Sequence, residues 1–485
     1  VFRGNDGQEV FGYLPQEGLS KLSTIAAKDY GTTSNFHRFF VNGPMNETDV
    51  KIDDAWANLV LGAMGSGGKT FFALRFPTDF GATLDAADLG KDALLWEKSG
   101  KDDGDIGYMF ADFAVGKIKG GGWKAFIGNG VYSDSGNSVL LVVDIAPGSI
   151  DKITVDSAGN TGMMGVSLIK DMTTREVVGA YAGDLKGNVW RFDFEGGSSS
   201  EWKVGFSGEP LFVAVNVNGD RLPITVPPVF VLHPTKGRVV LVGTGRLIDK
   251  ADSDSIDKQT FFGVWDDVAV GEFSSQAVSP FYGQANGRDK LQVQTVNVTP
   301  INDTTGTFYT VDTTPVNWTS QLGWYMDLPF DGQRVLYPSL VLGLDYVFFS
   351  TVVPARDVAQ CESSSGKGYN YLLVAADGTQ PAKPIFDTNG DGVVDESDQV
   401  ASGYGTVGDG RDAIVSDKDN PLLGGDLKDG SNGTGNGSGG EGEICNTEGC
   451  KKVDLDCITN CTPPNPNKSV VDRVWKQIMN PPKPE

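Results

Sequence analysis

Histidine is nearly absent: His37 and His233 are the only two in 485 residues. That leaves no room for a His-rich metal centre and limits any Ser-His-Asp triad to two candidate bases. Neither stands near a recognisable partner motif, no G-x-S-x-G nucleophile elbow occurs, and both histidines read as packed or surface residues. Long apolar runs are missing too. The densest, VLLVV at 139–143, stops at Asp144, far short of the roughly 18 residues of a membrane span. Basic residues are outnumbered, 40 against 63 acidic, for a net charge of −23. A phosphate backbone or an anionic membrane is repelled by such an average surface, so nucleic acid is excluded as the main partner. Cysteine is sparse and late: Cys361, then Cys445, Cys450, Cys457 and Cys461. The last four lack the C-x-x-C spacing of common zinc knuckles and point instead to disulfides and an oxidising compartment.

What is abundant is turn formers and β-formers. Glycine numbers 64, proline 24, and aromatics make up 10% of the chain, a turn-rich globular mixture. Strand signals of four to eight residues recur, among them TFFALRFP at 70–77, WKAFIGNGVY at 123–132, SVLLVVDIAPG at 138–148, VVGAYAGDLKGNVWRFDF at 177–194 and RVVLVGTGRLI at 238–248. QTVNV at 294–298, GWYMDL at 323–328, YVFFSTVVP at 346–354 and YNYLLVAAD at 369–377 continue the series. One helix is expected over 19–30, where Leu19, Leu22, Ile25 and Ala26 share a face. A loose repeat of strand, Gly-Asn or Gly-Asp turn, and second strand appears at 4–13, 128–144 and 182–193. Repeated small antiparallel sheets limit exposed edges by closing into a propeller, with a β-sandwich pair as the alternative.

Residues 1–424 read as the propeller body, 425–444 as a flexible Gly-rich loop with almost no apolar side chain, and 445–485 as a Cys-rich tail. VVDRVWKQIM at 470–479 offers an apolar face that would return the tail to the body. The first residues, VFRGND, carry no initiator Met, basic stretch or cleavage site, so the chain reads as part of a longer protein.

The strongest chemical signal is DTNGDGVVDESD at 387–398. Read as a calcium loop, it places Asp387, Asn389 and Asp391 at positions 1, 3 and 5, Gly392 at the backbone reversal, the Val393 carbonyl at 7, Asp395 at 9 and Asp398 at 12. Every liganding position supplies oxygen, as a hard divalent cation requires. Asp398 is one methylene shorter than the usual Glu, so its part as a ligand stays open. The flanks are strand-like, so an isolated loop between strands is expected. DDGD at 102–105, NVNGD at 216–220 and the aspartates at 249–257 read as solvated turns. AMGSGGKT at 63–70 matches a relaxed phosphate-loop pattern, but a strand rather than a helix follows it, which favours a hairpin turn.

Taken together, GNDGQEVFGYLP at 4–15, GGKTFFALRFP, WKAFIGNGVYS, AGDLKGNVWRFDF, PITVPPVFVLHPTKGRVVLVGTGRLI at 223–248, FFGVWDD at 261–267 and the terminal DRVWKQIM resemble the C-terminal propeller of the PilY-type proteins of bacterial type IV pili. The resemblance implies an all-β, modified seven-bladed β-propeller with long loop insertions and few short helices, secreted to the periplasm and displayed at the outer surface or pilus tip. It implies partners among minor pilins and the tip complex, attachment to host-cell or abiotic surfaces, and no enzymatic activity. It also implies Ca2+ at Asp387, Asn389, Asp391, Val393 and Asp395, its occupancy favouring pilus extension over retraction and supporting twitching. No Arg-Gly-Asp triplet occurs, only Arg3-Gly4-Asn5. The alternative is a calcium-containing quinoprotein dehydrogenase, whose blades also carry Trp and Asp repeats. Such enzymes show an adjacent Cys-Cys pair that this chain lacks.

Overall fold

The computed structural model describes residues 9, 12–32, 34–77, 93–284, 287–299, 307–343, 345–354, 367–386, 388–389 and 394–407, with three further strands, Asp429–Gly430, Gly442–Asn446 and Gly449–Val453. The N-terminal repeat at 4–13 falls mostly outside them, as do Cys361, the Gly-rich stretch and the Cys-rich tail apart from those three strands. The regular structure among the described residues is almost entirely β, with helices of three to five residues. They divide into two compact units, the first running to Leu185 and including Trp190–Gly208, the second taking Lys186–Val189 and the residues from Glu209.

In the first unit, Met45–Ile52, Ala55–Ala63, Thr70–Pro77 and Leu94–Ser99 form one antiparallel sheet in sequence order. Ala114–Lys117, Trp123–Gly128, Ser138–Asp144 and Ile150–Asp156 form a second. Burial is graded across each sheet. The inner strand Ser138–Asp144 is buried on both faces, while the edge strand Ile150–Asp156 is half-exposed throughout. Runs such as VLLVV therefore read as continuous rather than alternating apolar patterns, as they must when both faces are covered.

The phrase AGDLKGNVWRFD is a hairpin between Val177–Asp184 and Asn188–Phe194 in a single sheet, as the repeat predicts. The buried Asp184 carboxylate accepts the Trp190 indole N–H at 2.8 Å. Arg191 pairs with Asp193 at 3.0 Å, both side chains at most 2% exposed. At the turn, Gly187 has φ +79°, and an added Cβ would meet the Leu222 and Ala214 carbonyl oxygens at 2.6 and 2.8 Å. Only glycine fits there.

The expected helix at 19–30 is not continuous. Gln16–Leu19 and Leu22–Ile25 are separate four-residue turns without side-chain caps, and Leu19, Leu22 and Ile25 are exposed. Without an apolar face to bury, so short a helix does not propagate. The turn at Gly65–Gly67 leads straight into Thr70–Pro77, so the phosphate-loop pattern is a hairpin connection. The Glu17 carboxylate, accepting from the Thr70 hydroxyl at 2.7 Å, packs against Gly68.

In the second unit, Val229–Leu232, Arg238–Gly243, Thr260–Asp266 and Gly323–Asp327 pair antiparallel. Gln292–Gln294 joins the outer side of Gly323–Asp327 in parallel. QTVNV is thus not one strand: its Val296–Asn297 pairs with Thr307–Val311 in a different sheet. That sheet also holds Tyr346–Val353, Lys367–Val374 and Gly403–Val407.

Candidate cation-binding loop

The acidic loop is inserted between Lys367–Val374 and Gly403–Val407, which pair antiparallel from Lys367↔Val407 to Tyr371↔Gly403. Its two ends are therefore held by a sheet, as expected for an isolated loop between strands. Ile385 and Phe386 on one side and Ala401 on the other are buried with Phe308, Phe348 and Leu372. Phe386 meets the Tyr404 ring edge-on at 5.3 Å, and the Ser402 carbonyl accepts the Leu372 N–H at 2.7 Å.

Of the predicted ligands, Asn389 and Asp395 are described, as is Asp398; Asp387, Asp391 and Val393 lie outside the described residues. Asn389 and Asp395 are exposed, and both converge on Ser397. Asn389 Nδ2 donates to Ser397 Oγ at 2.9 Å, and the Ser397 N–H donates to Asp395 Oδ1 at 2.7 Å. Ser397, through its hydroxyl and backbone N–H, holds the Asp395 carboxyl below the ordinary carboxylate range. Such a carboxylate stays ionised and ready to meet a cation.

Asp398 is different. It is 7% exposed; Oδ1 accepts the Thr388 N–H at 2.7 Å, the Asn389 N–H at 3.2 Å and the Thr388 hydroxyl at 3.3 Å, while Oδ2 accepts the Asp395 N–H at 2.9 Å. The Thr388 hydroxyl in turn accepts the Gln399 N–H at 2.8 Å. Thr388 and Ser397 are the residues that spacing alone does not select. The signal for Ser397 was its place two residues after Asp395, in a tight turn closed by Asp398; Thr388 carries none.

All the donors described in the loop are oxygens, which suits a hard divalent cation rather than a soft one. Among the described residues no group of three or more His, Cys, Asp or Glu side chains converges on one point; three of the five liganding positions lie outside them.

The other acidic clusters are used internally. Lys152 Nζ donates to Asp103 and Asp105 at 2.6 and 2.8 Å, an ammonium where a metal ion would otherwise be considered. Asn216 Oδ1 accepts the Asn218 and Asp220 N–H groups, closing a turn. Asp249 and Asp252 form a capping box at Lys250–Asp254 and pair with Arg246. His37 is exposed, its Nδ1 lying 3.0 Å from Tyr30 Oη. His233 is buried, stacked on Trp265 at 4.6 Å with Trp318 edge-on at 4.2 Å. Neither histidine is placed as a catalytic base. No helix among the described residues is long and apolar enough to cross a membrane.

The model of the PilY1 beta-propeller domain matches residues 15–305. Type IV pilus biogenesis factor PilY1 of Pseudomonas aeruginosa is 30% identical over 425 residues, covering 80% of this chain and 35% of that protein. A PilY1 homolog of Xylella fastidiosa is 30% identical over 396 residues, covering 77% and 25%. The chain thus spans about a third or less of the curated relatives it matches. The crystal structure of the P. aeruginosa PilY1 C-terminal domain is similar with a TM-score of 0.70 and 27% identity, over 95% of this chain and 90% of that one. These names denote pilus biogenesis and not an enzyme. With its sheets, its repeated hairpins and this match over more than half its length, the chain belongs to the PilY1 β-propeller domain family.

Proposed function

We propose that this chain is a non-enzymatic, calcium-binding C-terminal domain of a type IV pilus biogenesis factor. It acts at the pilus tip with minor pilins, is secreted to the periplasm and outer surface, and contributes to attachment to cells or abiotic surfaces. Calcium occupancy of the loop favours pilus extension over retraction and so supports twitching. The observation that carries this reading is the similarity to the P. aeruginosa PilY1 C-terminal domain along 95% of the chain, with an oxygen-rich loop held between two strands of a sheet. The side chains of Asp387, Asn389, Asp391 and Asp395 and the Val393 carbonyl would hold Ca2+, which supplies the positive charge that lets these carboxylates share one place. The late cysteines fit the same oxidising compartment by forming disulfides.

The test is a calcium titration of the purified chain beside Asp391→Ala, with the same substitution placed in the intact protein. The variant should bind no calcium, keep its fold, and alter pilus extension or twitching at an unchanged level of secreted protein. Normal pilus behaviour from a variant shown to bind none would overturn the link between loop and function.

A further inference from the structure

We propose that Asp398 is not a ligand but a positioning residue, a clasp that holds the backbone of Thr388, Asn389 and Asp395 before any cation arrives; this rests on the reading of 387–398 as a calcium loop. Its place at position 12 invites the opposite expectation, because that position commonly supplies a bidentate carboxylate. The geometry argues against that bidentate grip. A carboxylate offers about two lone-pair sites on each oxygen; here Oδ1 is filled by its donors and Oδ2 already accepts one N–H, so the two oxygens are not free to grip a cation together. Three gather on Oδ1, from Thr388 N–H, Asn389 N–H and the Thr388 hydroxyl, and one meets Oδ2, from Asp395 N–H. An N–H hydrogen aimed at an oxygen also stands where a cation on that lone pair would have to be. The carboxylate is buried at 7% exposure, while Asn389 and Asp395 are exposed. Position 12 therefore faces into the loop, and positions 3 and 9 face outward.

These bonds tie positions 2 and 3 of the loop to position 9 through one side chain. Asp395 and Asn389 are the residues whose N–H groups Asp398 holds, so the clasp sets the backbone of two proposed ligands directly. Because the backbone at Thr388, Asn389 and Asp395 is held in advance, binding need not supply that part of the ordering, and affinity rises accordingly.

Amide exchange and calcium titration on the whole chain, freed of metal by chelation, test this. In metal-free protein the amides of Thr388, Asn389 and Asp395 should be protected. Asp398→Asn, whose amide oxygen keeps the donors on Oδ1 but whose NH2 cannot accept the Asp395 N–H, should lose the Asp395 protection without metal and weaken calcium binding by about tenfold, equivalent to about 1.4 kcal/mol, at unchanged stoichiometry. Thr388→Val, a milder change that leaves the carboxylate in place, should do the same to a smaller extent. Asp391→Ala should keep the metal-free protection while losing calcium.

Unchanged protection with calcium binding abolished in Asp398→Asn would make Asp398 a ligand and overturn the proposal. So would an Asp398→Asn variant equal to the unsubstituted chain in both measurements. Failure of the unsubstituted chain to bind calcium at all would instead overturn the cation loop itself, and the positioning role with it.

Discussion

Acid should loosen the turn that carries His233, and by an amount its surroundings fix. The imidazole is 6% exposed between Trp265 and Trp318. Its Nδ1 accepts the Thr235 and Lys236 N–H groups at 3.1 and 3.2 Å. A proton on Nδ1 would break both bonds and bring a charge into an apolar stack, so burial pushes the group from 6.5 down to about 4. The folded state thus binds the proton less well than the unfolded one. Stability from this residue is present above pH 6.5, is lost as pH falls from 6.5 towards 4, and changes little below that. From pH 7 to pH 5 the loss is at most about 2 kcal/mol, taking about 1.36 kcal/mol per pH unit. Amide exchange of Thr235 and Lys236 at the two pH values reads this locally, with His233→Asn as the control. Asn keeps an acceptor where Nδ1 stood but does not titrate, so its pH dependence should be smaller by that amount. A His233 resonance titrating near 6.5, or equal acid sensitivity in His233→Asn, would refute the reasoning.

Three further outcomes are expected. Asp193→Asn removes the carboxylate that the buried Arg191 meets at 3.0 Å and should destabilise the chain by up to about 3–5 kcal/mol, visible as a lowered melting temperature or loss of soluble protein. Gly187→Ala forces a Cβ towards the Leu222 and Ala214 carbonyls at positive φ and should cost more than about 1 kcal/mol, measured by denaturant unfolding. In protein recovered from an oxidising compartment, at least three of the five cysteines should resist alkylation until reduced; mass spectrometry finding five free thiols would contradict this.

The strands were legible because their apolar, β-branched and aromatic runs are bounded by glycine and aspartate. TFFALRFP, SVLLVVD and NVWRFDF correspond to Thr70–Pro77, Ser138–Asp144 and Asn188–Phe194. Pairing partners were not legible wherever the chain departs from simple hairpins. Residues 292–298 contain two strands in two sheets, and nothing in a two-residue periodicity says which neighbour a strand chooses. The helix expected over 19–30 fails for a related reason: spacing placed Leu19, Leu22 and Ile25 on one face, but spacing does not supply a surface for that face to cover. In the acidic loop the sequence marks oxygen donors at fixed intervals. Which way Asp398 points depends on the backbone N–H groups of Thr388, Asn389 and Asp395, which no side-chain pattern reports.

The sheet containing Gly323–Asp327 carries a cost in the order of assembly. Its neighbour Thr260–Asp266 cannot be joined by a hairpin, because 56 residues separate the two strands, the parallel strand Gln292–Gln294 among them. Closing that loop costs about 2–3 kcal/mol more entropy than closing the three-residue turn at 185–187. Until it closes, the apolar edge FFGVWD stands unpaired and open to other chains. Non-local pairing of this kind slows folding, so lengthening an exposed turn within 267–322, such as the one at Gly271, should show first in refolding rate and soluble yield, while the melting temperature of the finished protein hardly moves.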